Sequence, residues 1–140
     1  MNSALQFSHS PYTHFMQKNK KEKGNGIQLH VEAGGDPEHP AVLLVMGLGA
    51  QMLFWPDFFC KSLIDQGYYV IRFDNRDIGL SSKIRHKGQR LNTFKLMGRF
   101  AVGLQNQGSA YTLFDMADDV ALLIERLGLK NPHIIGASMG

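Results

Sequence analysis

Apolar and polar positions along the chain follow two periods that alternate. Residues 27–33 (Ile-Gln-Leu-His-Val-Glu-Ala) switch between apolar and polar at every step, as a strand with one buried face does. Residues 41–46 (Ala-Val-Leu-Leu-Val-Met) and 68–73 (Tyr-Tyr-Val-Ile-Arg-Phe) are nearly continuous apolar runs, the pattern of strands covered on both faces in a parallel sheet. Between these runs, residues 56–66 predict a helix. Pro56 suits its first position and Gly67 the position just past its end, and the pairs Phe59–Leu63 and Cys60–Ile64 line one face. The clearest helix covers 112–127. Thr112 and Asp115 have capping-box spacing, Met116, Val120, Leu123, Ile124 and Leu127 form the apolar stripe, and Gly128 stops it. Residues 133–137 then give a short strand that ends at Ser138.

Two stretches fit this alternation less well. Residues 1–25 are too polar to bury much surface and are expected to be a flexible tail, leaving 26–140 as part of a single domain. In 83–110, Leu91, Phe94, Met97, Phe100 and Leu104 recur at near-helical spacing among Lys95 and Arg99, which predicts a basic amphipathic helix within an excursion. Alternating strands and helices imply an α/β fold with a mostly parallel sheet flanked by helices. Such sheets bind ligands beyond the carboxyl ends of their strands. Three features fall there: Gly47-Leu48-Gly49, Asp74-Asn75-Arg76 and Ser138.

Composition narrows the function classes. A chain of 140 residues is one domain at most. No run approaches the roughly 18 apolar residues of a membrane span, and the N-terminus has no continuous apolar core of a signal peptide, so a cytoplasmic location is expected. Cys60 is the single cysteine and reads as a small core residue. The net charge of +3 is concentrated in Lys18, Lys20, Lys21 and Lys23, and in Lys83, Arg85, Lys87, Arg90, Lys95 and Arg99. Neither cluster sits in a nucleic-acid motif, so both read as solvated surface and no nucleic-acid partner is expected. The histidines lack paired ligand spacing and there is no Walker or dinucleotide motif, so neither a metal nor a cofactor is expected.

The chemistry lies in Gly136-Ala137-Ser138-Met139-Gly140. Gly-x-Ser-x-Gly is required where a strand turns sharply into a helix and holds a nucleophilic serine exposed. The buried-type strand directly before it is the context that gives the motif weight. Met46-Gly47-Leu48-Gly49-Ala50, at the end of an earlier strand, can aim a backbone N–H at a developing oxyanion.

These blocks, together with Trp55-Pro56, residues 73–81 (Phe-Asp-Asn-Arg-Asp-Ile-Gly-Leu-Ser) and residues 111–119, resemble the N-terminal half of an α/β-hydrolase. They are similar to the esterase-like members that include aclacinomycin methylesterase. The resemblance implies that Ser138 is the nucleophile and that the N–H groups of Leu48 and Met139 form the oxyanion hole. Met46 stands where a histidine is commoner, a change that a backbone donor survives. A serine at 138 argues against dehalogenase and epoxide-hydrolase chemistry, whose members use Asp there. Asp74 and Arg76 are expected to lock a loop rather than to catalyse, and Asp115, Asp118 and Asp119 to be solvent-facing or capping groups.

A serine needs a general base and an orienting carboxylate, which in this family follow it in the chain. All six histidines (His9, His14, His30, His39, His86 and His133) precede Ser138. The chain as given is therefore expected to be inactive alone, and marginally stable beside the open apolar edge of its last strand. The expected substrate is a small-molecule carboxylic ester. The competing reading is a non-catalytic remnant or binding protein whose basic excursion contacts an acidic partner or a membrane surface.

Overall fold

The computed structural model describes residues 13–16, 26–84 and 111–140. Its strands are β1 (Thr13–Met16), β2 (His30–Gly34), β3 (Ala41–Val45), β4 (Tyr69–Phe73) and β5 (His133–Gly136). Its helices are α1 (Asp57–Asp65) and α2 (Leu113–Arg126), with a short 3-10 turn over Met52–Phe54. The strands form one sheet in the order β1-β2-β4-β3-β5.

The fold is α/β, with a mixed sheet. β4, β3 and β5 run parallel, whereas β1 and β2 join antiparallel. Residues 35–40 alone connect β2 to β3, too few for the crossover of about a dozen residues that a parallel return demands. The chain therefore reverses, and β4 later inserts between the two. The predicted first strand shifts accordingly: residues 27–29 precede β2, and Gly34 joins it. Within the stretch expected to be a tail, Thr13–Met16 pairs with β2 as an edge strand. Its neighbours in that stretch lie outside the described residues.

From β3 the chain passes through α1 to β4, then returns past β3 through α2 to β5. Right-handed crossovers in opposite directions put the two helices on opposite faces. The core divides in the same way. Ala41 and Leu43 of β3 pack with Val31, Tyr69, Ile71 and Phe73 beneath Leu123 of α2. Val42 and Leu44 pack with Val70 and Cys60 against Phe59, Leu63 and Ile64 of α1. Double coverage is the reason β3 reads as one unbroken apolar run. Cys60 is buried and its thiol is pushed up by that burial, as an inert core residue's would be.

Arg72 breaks the apolar run of β4. It faces Glu32 directly across the β2–β4 ladder, and its Nε donates to Glu32 Oε2 at 2.8 Å. A second guanidinium nitrogen reaches the Trp55 carbonyl at 2.8 Å and Asp57 at 2.9 Å, tying the start of α1 to the sheet. Burial alone would lower the Arg72 pKa, but the bond and charge of Glu32 raise it, so the guanidinium stays charged.

Both helices start and stop as their sequences direct. Thr112 caps α2 with the full capping box to Asp115, and Gly128 follows at φ +65°. Pro56 is the N-cap of α1 rather than its first residue, so the helix starts at Asp57, one position later than expected. β5 stands at one end of the sheet and exposes Ile134. The amphipathic helix predicted in 83–110 lies almost wholly outside the described residues. Among those described, Lys83 turns back to donate to the carbonyls of Asp77 and Gly79, each at 2.8 Å.

Candidate active site

β3 is the point where the strand order reverses, and ligands of open α/β sheets bind beyond the carboxyl end of the strand at such a point. Three glycines let two segments meet there. Val45 of β3 pairs with Gly136 of β5, and one step on the Ala137 N–H donates to the Val45 carbonyl at 3.0 Å. The chain then turns, closed by the Gly140 N–H donating to Ala137 O at 3.0 Å. A Cβ at Gly136 would collide with the Gly140 carbonyl, and one at Gly140 with the Val45 carbonyl. The two outer residues of the pentapeptide thus have no room for a side chain.

Ser138, at the apex, has φ +59° and is exposed. The left-handed region costs a non-glycine residue about 1–2 kcal/mol, and serine has little local compensation there. The packing of the three glycines holds it in place. Gly47 lies directly against it: a Cβ on Gly47 would be 2.7 Å from Ser138 Cβ and 3.1 Å from Ser138 Oγ. The pairs Gly47–Leu48 and Ser138–Met139 are therefore neighbours in space, with Leu48 and Met139 both half-buried.

The third feature, Asp74-Asn75-Arg76, follows β4 and is buried throughout. Asp74 Oδ1 accepts from the Met52 N–H at 2.9 Å and Oδ2 from the Leu80 N–H at 3.1 Å. Its carbonyl accepts from the Ser81 hydroxyl at 2.6 Å, and that hydroxyl in turn accepts from the His30 N–H at 2.8 Å. Gly79, at φ +46°, lies against the Asp74 carboxylate with no room for a Cβ. Asn75 Nδ2 donates to the Met46 carbonyl at 2.8 Å.

Arg76 corrects one expectation. Asp119 is not solvent-facing: it is 6% exposed, and its two oxygens accept from Arg76 Nε and Nη2 at 2.6 and 2.7 Å. It lies one helical turn beyond Asp115, on the side of α2 that meets the loop after β4. Arg76 Nη2 also donates to the Asp115 carbonyl at 2.9 Å, and its guanidinium stands over the Tyr111 ring. Burial, and then the charge of Asp77, push the Tyr111 hydroxyl up to about 12. Asp115 itself caps α2, as its spacing predicts. The lock expected of Asp74 and Arg76 is present. The contribution of Asn75 was not foreseen; its one sequence signal is its place in a polar block at the carboxyl end of a buried strand.

None of the histidines described with a side chain adjoins Ser138. His30 Nδ1 lies 3.5 Å from Asp74 Oδ2 on the far side of β4. His39 sits in the turn before β3, and His133 opens β5 at the end opposite Ser138. Among the described residues no group of three His, Cys, Asp or Glu side chains could hold a metal, and no helix is long and apolar enough to cross a membrane.

Comparison with known proteins agrees with this geometry. Rhodomycin D methylesterase DnrP of Streptomyces peucetius is 28% identical over 114 residues, 81% of this chain but 32% of that protein. AB hydrolase superfamily protein YfhM of Bacillus subtilis is 41% identical over 59 residues, 42% of this chain and 20% of that one. The chain thus spans about a third of the length of the methylesterase it matches. The thioesterase domain from the curacin biosynthetic pathway superposes with a TM-score of 0.64 at 22% identity, covering 94% of this chain and 38% of that one. Epoxide hydrolase A from Mycobacterium thermoresistibile gives 0.64 at 22% identity, covering 91% and 32%. At that identity the superpositions speak for the fold alone. The sequence profile of the alpha/beta hydrolase fold matches residues 40–140, and the chain belongs to that family.

Proposed function

We propose that this chain carries the nucleophile-bearing part of a serine hydrolase that cleaves small carboxylic esters by acyl transfer. The observation that carries the reading is the exposed Ser138, held at φ +59° against Gly47 beyond the carboxyl ends of β5 and β3. In the reaction, Ser138 Oγ attacks the ester carbonyl carbon and loses its proton to a base. The carbonyl electrons move onto oxygen, where the N–H groups of Leu48 and Met139 stabilise the charge. Collapse expels the alcohol with that proton, and water then releases the acid from Ser138 by the same steps.

The base and its carboxylate come, in this reading, from chain beyond the 140 residues. The distance of His30, His39 and His133 from Ser138 supports this, as does the 32% of the methylesterase that the chain matches. Residues 26–140 then form the first part of one domain, to which Thr13–Met16 adds an edge strand. The methylesterase relative favours an ester over an epoxide, and so does serine at the apex. The lone buried Cys60 thiol fits a reducing, cytoplasmic setting.

The test is turnover of p-nitrophenyl acetate by the full-length chain, together with labelling by a fluorophosphonate. Ser138→Ala is expected to lower turnover at least about 1,000-fold and to abolish labelling. Turnover that survives the substitution would sink the proposal. An absence of turnover, with salt-sensitive binding to anionic vesicles, would favour the binding-protein reading.

A further inference from the structure

The segment from Met46 to Met52 links β3 to the turn before α1 and contains Leu48. Its internal support is slight. The Gly47–Ala50 turn has Gly49 at φ +74°, and its closing bond, from the Ala50 N–H to the Gly47 carbonyl, is 3.4 Å long. That is beyond the usual range for an amide hydrogen bond.

Two consecutive residues just after β4 grip this segment at its ends. At one end Asn75 Nδ2 donates to the Met46 carbonyl at 2.8 Å. At the other Asp74 Oδ1 accepts from the Met52 N–H at 2.9 Å. All four of these residues are buried, so water does not compete for either bond. We propose that Asn75 is a positioning residue for the oxyanion hole: through the Met46 carbonyl it sets the direction in which the Leu48 N–H points. The inference rests on the hydrolase reading above.

The physical argument runs through the peptide plane. The Met46–Gly47 peptide is planar, so fixing its carbonyl oxygen fixes the Gly47 N–H and the start of the next peptide, which carries the Leu48 N–H. With Met52 anchored by Asp74, the segment is held at both ends, and from the fixed Met46–Gly47 peptide only φ and ψ of Gly47 set the Leu48 N–H. An oxyanion donor must sit about 2.7–3.1 Å from the charge it stabilises, so a small rotation of that peptide matters. Asparagine is the residue type this task needs, because Nδ2 can donate to a carbonyl. Aspartate, of the same shape, would set an acceptor against an acceptor. Asn75 is buried beneath the turn and acts on the reaction through the Met46 carbonyl.

The experiment compares Asn75→Asp and Asn75→Ala with wild type in the full-length chain. It reads kcat and KM for p-nitrophenyl acetate and the Kd of phenylboronic acid, which forms a tetrahedral adduct with the serine. Both variants are expected to lower kcat about ten- to a hundredfold, the scale of a small misplacement. KM should stay within about twofold. The boronate Kd should rise by about the factor by which kcat falls, because both report transition-state complementarity. Folded variants with unchanged kcat and boronate affinity would overturn the proposal, and so would a rise in KM alone. If both variants are recovered unfolded, the wild-type protein decides. The Asn75 side-chain amide signal, followed by nuclear magnetic resonance, must shift when boronate binds, and a signal that does not move overturns the proposal. Ser138→Ala separates the two levels. If it retains turnover, the hydrolase reading itself fails. If it loses turnover while the Asn75 variants match wild type, only the present inference fails.

Discussion

The segments that follow β5 and β4 meet the same demand with opposite materials. Each must turn the chain sharply at the carboxyl end of a parallel strand. After β5 the turn is built by removing side chains: Gly136, Gly140 and the facing Gly47 leave room, and backbone bonds do the holding. After β4 it is built by adding polar side chains: Asp74, Asn75, Arg76 and Ser81 are all buried and all hydrogen-bonded. The first arrangement leaves Ser138 exposed and strained; the second exposes none of these four groups. The difference separates reactivity from support. Substitution in the glycine turn should cost activity first, and substitution in the polar loop, Asn75 apart, should cost stability first.

The largest effect expected on the polar side is from Asp119→Ala. It leaves the Arg76 guanidinium, 4% exposed, without the carboxylate that takes two of its bonds. Breaking a buried ion pair in this way costs about 3–5 kcal/mol, read as a shift of the urea unfolding midpoint at constant slope. A loss below about 1 kcal/mol would mean that the pair behaves like a surface ion pair, and the contrast between the two turns would weaken.

Gly47→Ala tests the other side. The added Cβ would sit 2.7 Å from Ser138 Cβ, so one of the two turns must shift. The expected result is a fall in kcat of about a hundredfold, with a stability loss of about 1–3 kcal/mol, smaller than that of Asp119→Ala. If stability collapses while the residual folded protein keeps its kcat, the glycine turn is support rather than site, and the comparison is reversed.

How much of this was legible in the sequence follows the same division. β3, β4, α1 and α2 were readable because burial on one or two faces writes itself into local periodicity; β5 was readable from its apolar residues, although the buried-type strand expected there is exposed or half-buried along its length. Ser138 was readable because the turn around it admits only small outer residues within five positions. The polar loop was harder. Its partners are far away in the chain: Asn75 reaches back to Met46, Arg76 reaches forward to Asp119, and Arg72 crosses to Glu32. Asp119 looked solvent-facing because a carboxylate on a helix usually is, and only the guanidinium from another element makes its burial tolerable. β2 begins a few residues later than its alternation predicts and is buried on both faces rather than one, because His30 and Glu32 find polar partners in Asp74 and Arg72 that alternation cannot show.

The two aspartates of α2 allow the comparison to be sharpened at its weakest point. Asp119 is buried and holds Arg76. Asp115, one turn earlier, is only half-buried, yet its carbonyl also receives a bond from Arg76 while its carboxylate closes the capping box. Thr112→Ala removes the hydroxyl that accepts from the Asp115 N–H and is expected to cost about 1 kcal/mol. The loss should be visible as a few degrees in Tm, with kcat nearly unchanged. The Thr112 N–H, and then its hydroxyl, hold the Asp115 carboxyl below the usual carboxylate range. A carboxyl depressed on folding contributes stability above its unfolded pKa of about 3.9, and that contribution is lost as pH falls through the folded value. The Tm gap between wild type and Asp115→Asn should therefore be widest near neutrality and close in acid, below about pH 4. A gap that persists at pH 2 would assign the effect to the geometry of the first turn rather than to its charge. Arg76 would then depend on the helix start for position alone, and the exposed end of α2 would belong with the polar loop as support.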